Sequence, residues 1–191
     1  MGLTLVTAPT VLPVSYADAK AHLRLPDDTE SVLVSALLDA ARRKVEDDTG
    51  RALMTQTWDL TLDAFPRDGI AMPREPLASV TSVKVTGVAG VQSTLASTVY
   101  QVNLAACPPS ITLADGQSWP SDLRANQAIV VRFVAGYGTK ESDVPEPIRL
   151  AVLQLVAQWY AVRMAAGAPV PPPWMGYDAL IAPYRVRWGI G

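Results

Sequence analysis

Over residues 30–49 the apolar side chains Val34, Leu37, Leu38, Ala41 and Val45 recur at helical spacing. Asp39, Arg42, Arg43, Glu46 and Asp47 fall mostly on the other side, so the pattern predicts an amphipathic helix with one buried stripe. Gly50 suits the left-handed position that closes it, and Asp27, Asp28, Thr29 and Glu30 supply caps and negative charge at its start. Just upstream, Ser15-Tyr16-Ala17-Asp18 fits a helix-start box. A short helix runs from there to about Leu25, where Pro26 stops it. Residues 1–14 are apolar and Thr-rich and carry Pro9 and Pro13, so they read as an extended arm.

The middle of the chain changes period. Trp58, Leu60 and Leu62 alternate with Thr57, Asp59, Thr61 and Asp63, the two-residue repeat of a half-buried strand. Residues 80–86, 91–95, 99–103, 111–113 and 128–135 read as further strands, the first two joined across Gly87-Val88-Ala89-Gly90. Helical pattern returns after Pro145 and Pro147. Over residues 148–166 almost every face is apolar, which predicts a helix central to a core. Arg149, Gln154, Gln158 and Arg163 keep that run short of the roughly 20 apolar residues a bilayer requires, so no membrane partner is expected.

The expected class is α+β. Two N-terminal helices plus a long apolar C-terminal helix form a helical core, a small antiparallel β insertion interrupts it, and an extended C-terminal arm follows. The corresponding layout is 1–53 for the N-terminal arm and helices, 54–140 for the β-rich insertion, 141–167 for the core helix, and 168–191 for a Pro-rich spacer and the arm.

Composition narrows the function. Hydrophobic residues at 49 % against 18 % charged supply a real core and argue against wholesale disorder. With Lys plus Arg at 16 and Asp plus Glu at 18, the formal charge is −2, and tight gripping of nucleic acid needs a cationic excess. His22 and Cys107 stand alone, which excludes an internal disulfide and a zinc site built from His and Cys. The N-terminus lacks a basic region and is broken by prolines, so no signal peptide is expected. Gly136-Tyr137-Gly138-Thr139-Lys140 lacks phosphate-loop spacing, and neither 27–30 nor 46–48 has the spacing of a calcium loop. No catalytic residue, cofactor or metal is assigned.

The tail is the most informative stretch. Pro169 to Pro173 reads as a stiff polyproline spacer. Beyond it, Trp174, Tyr177, Leu180, Ile181, Pro183, Tyr184, Arg185, Val186, Arg187 and Trp188 have the aromatic and Arg composition of interface anchors. Folding back on the chain's own helices and burial in another subunit are equally open from composition alone.

Short blocks spread over nearly the whole chain carry a family resemblance. They are 13–24 (PVSYADAKAHLR), 37–50 followed by Arg51-Ala52-Leu53-Met54-Thr55-Gln56-Thr57-Trp58, and Pro73-Arg74-Glu75-Pro76-Leu77 with Val80-Thr81-Ser82-Val83. Phe133-Val134-Ala135-Gly136-Tyr137-Gly138, Val144 to Tyr160, and Leu180-Ile181-Ala182-Pro183-Tyr184-Arg185-Val186 complete them. In this order and spacing the chain resembles the head–tail connector (adaptor) proteins of tailed phages, also found in gene-transfer agents.

The resemblance implies a non-enzymatic structural protein of the virion neck, made in the bacterial host cytoplasm. It implies a ring of copies, usually twelve, between the portal protein and the stopper or another head–tail joining protein, with DNA passing through without sequence-specific binding. The C-terminal arm, from Trp174 on, is then the portal-binding element. A ring also needs unlike faces that meet. The opposite charges of Arg42, Arg43 and Lys44 against Glu46, Asp47 and Asp48 are candidate ring contacts. The competing readings are a different neck protein such as a stopper, and a small-molecule binder or hydrolase that uses His22.

Overall fold

The structure, a computed structural model, describes residues 1–162 and 174–186. These fold as two compact units, each built from segments distant in sequence. One unites Met1–Ala8 with Thr55–Gly136, and the other unites Pro9–Met54 with the described part of Tyr137–Val186.

The first unit is all β. Strands β1 (Gly2–Thr7), β2 (Gln56–Leu62), β4 (Leu77–Thr86), β5 (Gln92–Thr94) and β8 (Ile129–Ala135) form an antiparallel sheet in the order β1-β2-β8-β4-β5. Strands β3 (Ile70–Ala71), β6 (Tyr100–Asn103) and β7 (Ser110–Leu113) form a second, ordered β3-β7-β6. The central strand β8 alternates as a half-covered strand must: Ile129, Val131, Phe133 and Ala135 are buried, while Val130, Arg132 and Val134 face the partly open side. On that open side Arg132 lies opposite Asp59 of β2 and donates through Nε and Nη2 to its two carboxylate oxygens, both at 2.8 Å.

Residues 2–7, expected as a free arm, instead add a strand: Leu3 pairs with Leu60 and Leu5 with Trp58. The turn before β3 needs a glycine. Gly69 has φ +91°, and a Cβ there would sit 2.6 Å from the Ile111 carbonyl oxygen. The segment after β7 is tied down at both ends. Trp119 stacks on Phe65 at 4.1 Å, the Gln127 N–H donates to Asp63 at 2.7 Å, and the Thr86 N–H donates to the Ala128 carbonyl at 2.7 Å.

The second unit is helical: α1 (Tyr16–Leu23), α2 (Ser31–Thr49), α3 (Glu146–Val162) and α4 (Trp174–Ile181), with a 3₁₀ turn at Ala182–Tyr184. The Ser15 hydroxyl caps α1 by accepting the Asp18 N–H at 3.1 Å, as the start box predicts. Asp27 and Asp28 do not cap α2. Asp27 accepts the Thr29 N–H at 3.0 Å, and Asp28 accepts from Tyr16 and Lys20. Val34, Leu38, Ala41 and Val45 of α2 pack with Ile148, Ala151, Val152, Leu155 and Val156 of α3 in one core. The Tyr160 hydroxyl donates to the Glu30 carboxylate and so joins α3 to the start of α2.

The expected fold class is corrected in three respects. The β part is no small insertion but eight strands in two sheets, one of them drawn from the N-terminus. The helix after it is not a long apolar helix. It has 17 residues with its buried positions at 148, 151, 152, 155 and 156, one face only, while Leu150 is 40 % exposed. Apolar residues on its other face are tolerated at half burial, because a surface apolar side chain costs little when isolated. The C-terminal segment is not extended: α4 and the 3₁₀ turn lie folded in the helical unit. Residues 163–173, including the Pro-rich spacer, lie outside the described residues.

Phe133 has no exposed surface at the centre of the sheet. Phe133→Ala is expected to cost about 3–5 kcal/mol through lost transfer energy and the cavity left behind. Urea denaturation followed by tryptophan fluorescence checks it.

Candidate functional site

Two features of the helical unit carry the residues singled out above: the charged side of α2 and the C-terminal segment. On α2, residues one turn apart form a ladder of ions. Arg42 Nη1 reaches Glu46 Oε2 at 2.5 Å, Arg42 Nη2 reaches Asp39 at 2.8 Å, and Arg43 Nη2 reaches the other Asp39 oxygen at 2.9 Å. Glu46 also accepts the Leu53 N–H at 2.9 Å, fixing the chain just past the helix. Arg42 and Glu46 are each only 5 % exposed. Burial pushes the Asp39 carboxyl upward, but the bonds from Arg42 and Arg43 outweigh it and hold Asp39 below the ordinary carboxylate range.

The C-terminal segment meets the far end of α2. Tyr177 and Ile181, four residues apart on one face of α4, are 5 % and 0 % exposed within the helical core. The Tyr177 hydroxyl donates to Asp48 Oδ2 at 2.7 Å, and Lys44 Nζ lies 2.5 Å from Asp48 Oδ1. Burial, then the bond to Asp48, raises the Tyr177 pKa far above its ordinary value, so the hydroxyl remains a donor.

The backbone follows. Arg51 Nε donates to the Tyr184 carbonyl at 2.6 Å, and the Val186 N–H donates to the Thr49 carbonyl at 2.8 Å. The second bond satisfies a carbonyl that the end of α2 leaves without an intrahelical partner. Gly50 closes α2 in the left-handed region at φ +72°, and a Cβ there would be in ordinary contact with Val186. Among the described residues from α4 to Val186, those exposed include Ala179, Ala182, Pro183 and Arg185, with Arg185 bonded to Asp178 at 2.6 Å.

Gly138 leaves room for the Asp143 carboxylate, which lies 2.1 Å from where a Cβ would be and accepts the Lys140 N–H at 2.9 Å. The loop that superficially suggested phosphate binding therefore closes on its own acid. Among the described residues no group of three or more His, Cys, Asp or Glu side chains is placed to hold a metal, and no helix is long and apolar enough to cross a membrane.

No family model matches the chain, and no curated protein sequence matches it. Solved structures do. A chain of the neck of an empty gene transfer agent (GTA) particle, computed with C6 symmetry, is 28 % identical with a TM-score of 0.83, over 100 % of this chain and 98 % of that one. A chain of the native GTA virion is 28 % identical with a TM-score of 0.82 over the same shares. A chain of the neck of the native GTA particle, computed with C12 symmetry, is 30 % identical with a TM-score of 0.78, again over 100 % and 98 %.

The chain is a structural neck protein of a phage-like particle. In this neck protein the residues expected at the portal divide. Tyr177 and Ile181 are buried in their own unit, Leu180, Tyr184 and Val186 are half-buried, and Pro183 and Arg185 are exposed. Trp174 begins α4, while Arg187 and Trp188 lie outside the described residues. The candidate ring contacts divide too. Arg42 and Glu46 satisfy each other inside the subunit, Asp48 serves Tyr177 and Lys44, and Arg43, Lys44 and Asp47 remain on the exposed side.

Sequence reasoning missed Asp39 and Arg51. The i, i+3 and i, i+4 spacing of Asp39 to Arg42 and Arg43 carried a usable signal; nothing local marks Arg51, whose partner is 133 positions away.

Glu46→Ala in this neck protein is expected to cost about 3 kcal/mol, because it leaves Arg42 buried without its partner and the Leu53 N–H without an acceptor. The exposed Asp47→Ala is expected to cost under about 1 kcal/mol in the same urea titrations. A carboxyl with a depressed pKa stabilises the fold above its unfolded value and loses that contribution as pH falls through the folded one. Asp39→Asn is therefore expected to flatten the acid limb of stability against pH below about pH 4, read as melting temperature at each pH.

Proposed function

We propose that this neck protein is the head–tail adaptor: a ring of copies seated on the portal, joining it to the stopper or another head–tail joining protein, with DNA passing through. The observation that carries the reading is the full-length likeness to neck structures, one of them computed with C12 symmetry. The ordered adaptor-type blocks, from 13–24 to 180–186, support it further. The role is mechanical, with no reaction. A ring multiplies modest contacts per copy through effective concentration. A net charge of −2 suits a conduit that must let phosphate slide, since the salt-dependent grip of a basic channel would oppose passage.

On this reading the portal meets the outward side of the C-terminal segment, which among the described residues includes Pro183 and Arg185. The buried members, Tyr177 and Ile181, shape and hold that surface from behind. A stopper sits one layer further from the portal, so locating the chain in an intact neck by electron microscopy separates the two roles.

Removing residues 174–191 would strip Ile181 from the core as well as the surface, so a surface variant is the cleaner test. Pro183→Glu with Arg185→Glu, both at exposed positions, is expected to give a folded protein and DNA-filled heads with at least tenfold fewer tails. Electron microscopy of particles from the complemented strain reads this. Tailed particles at the wild-type frequency would sink the portal role of the segment.

A further inference from the structure

The β unit carries an apolar projection at the β5 edge of its five-stranded sheet and an apolar groove on the far side of β8, lined from β2 and from β3 of the second sheet. The projection is the tip of the β4–β5 hairpin. Its turn is closed by the Gly87 N–H on the Val91 carbonyl at 3.0 Å and the Gly90 N–H on the Gly87 carbonyl at 2.9 Å. At its end Val88 and Val91 are 69 % and 70 % exposed, among the most exposed large apolar side chains described. The groove, of about 430 Å³, is lined by Met1, Leu62, Pro66, Gly69, Ile70 and Ala71. Paired valines at an exposed tip are unusual, because hairpin turns are normally polar.

Register puts both features at the same height. Leu62 of β2 lies opposite Ile129 of β8, which lies opposite Val85 of β4, just before the tip. Laterally, β8 and β4 stand between β2 and β5, a separation of roughly 14 Å at the usual strand spacing. Two unlike patches at one level, set apart across the sheet, are what a head-to-tail contact between rotated copies requires. Each rim also carries one cation and one anion. Exposed Arg67 and Asp68 sit on the turn beside the groove, and exposed Asp122 and Arg124 sit at the base of the tip, where Leu123 bridges to Gly87.

We propose that in the ring the β4–β5 tip of each copy inserts Val88 and Val91 into the groove between Leu62 and Ala71 of the next copy. Arg67 and Asp68 of one copy then face Asp122 and Arg124 of the other. The proposal rests on the adaptor-ring reading. Two valines offer far less than the ~800 Å² per partner of a standing interface, so the contact forms where closure and the portal hold the copies together.

The test uses full-length protein in particles, with Cys107→Ser to remove the native thiol. Val91→Cys combined with Ala71→Cys is oxidised and run on a non-reducing gel. A ladder extending beyond dimers supports the proposal, since each copy then links to two neighbours, and each single variant gives no ladder. Particles that contain the double variant at wild-type amount but give no link, or only dimers, overturn the tip-in-groove contact and leave the adaptor reading intact. Absence of even the wild-type protein from necks overturns both.

A second arm uses Val88→Asp with Val91→Asp. These positions are exposed, so circular dichroism should match the wild type while incorporation into necks falls at least tenfold. Undiminished incorporation overturns the proposal.

Discussion

The burial of Tyr177 and Ile181 in the core of α2 and α3 sets what the C-terminal segment can offer a partner. One face of α4 is committed inward, and two bonds, from the Arg51 side chain to the Tyr184 carbonyl and from the Val186 N–H to the Thr49 carbonyl, hold the following turn at the end of α2. The end of α2 leaves carbonyls without intrahelical partners, and the Val186 amide satisfies one of them at 2.8 Å. On the adaptor reading, residues 174–186 are therefore a formed surface before any contact. That lowers the entropy cost of docking relative to a flexible arm.

The same economy governs the charges. Arg42 and Glu46 are buried as a pair because either alone would be costly, and Glu46 has a second role in holding the Leu53 amide. Asp48 likewise anchors Tyr177 while Lys44 balances it. Runs of charge that look like binding patches are thus partly internal fittings, and the surface left for other proteins is smaller than the count of ionised residues suggests. In the β unit the balance is reversed: its open sheet face carries the Asp59–Arg132 fork, while exposed apolar side chains gather at the hairpin tip.

Where local physics dominates, the elements were legible. The Ser15 box, the α2 stripe closed by Gly50, the alternation of β2 and β8, and the Gly87–Gly90 turn are all set by neighbours within a few positions. Strand β1 was hidden because residues 2–7 gain their partners about 54 positions later, and six Gly, apolar and Thr residues ahead of Pro9 suit an arm as well as an edge strand. The helix after the sheet looked apolar all round because composition does not say which of its faces is covered; α3 buries one.

The sequence by itself determined an α and β chain with strong turns, one amphipathic helix and an aromatic, Arg-bearing end. Only the tertiary structure decided where that end goes. Burial of apolar surface has no direction, so Tyr177 and Ile181 satisfy it equally well against their own helices or against another protein. The choice was made by partners far apart in sequence: Asp48 for the Tyr177 hydroxyl, Arg51 for the Tyr184 carbonyl, and the unpaired end of α2 for Val186.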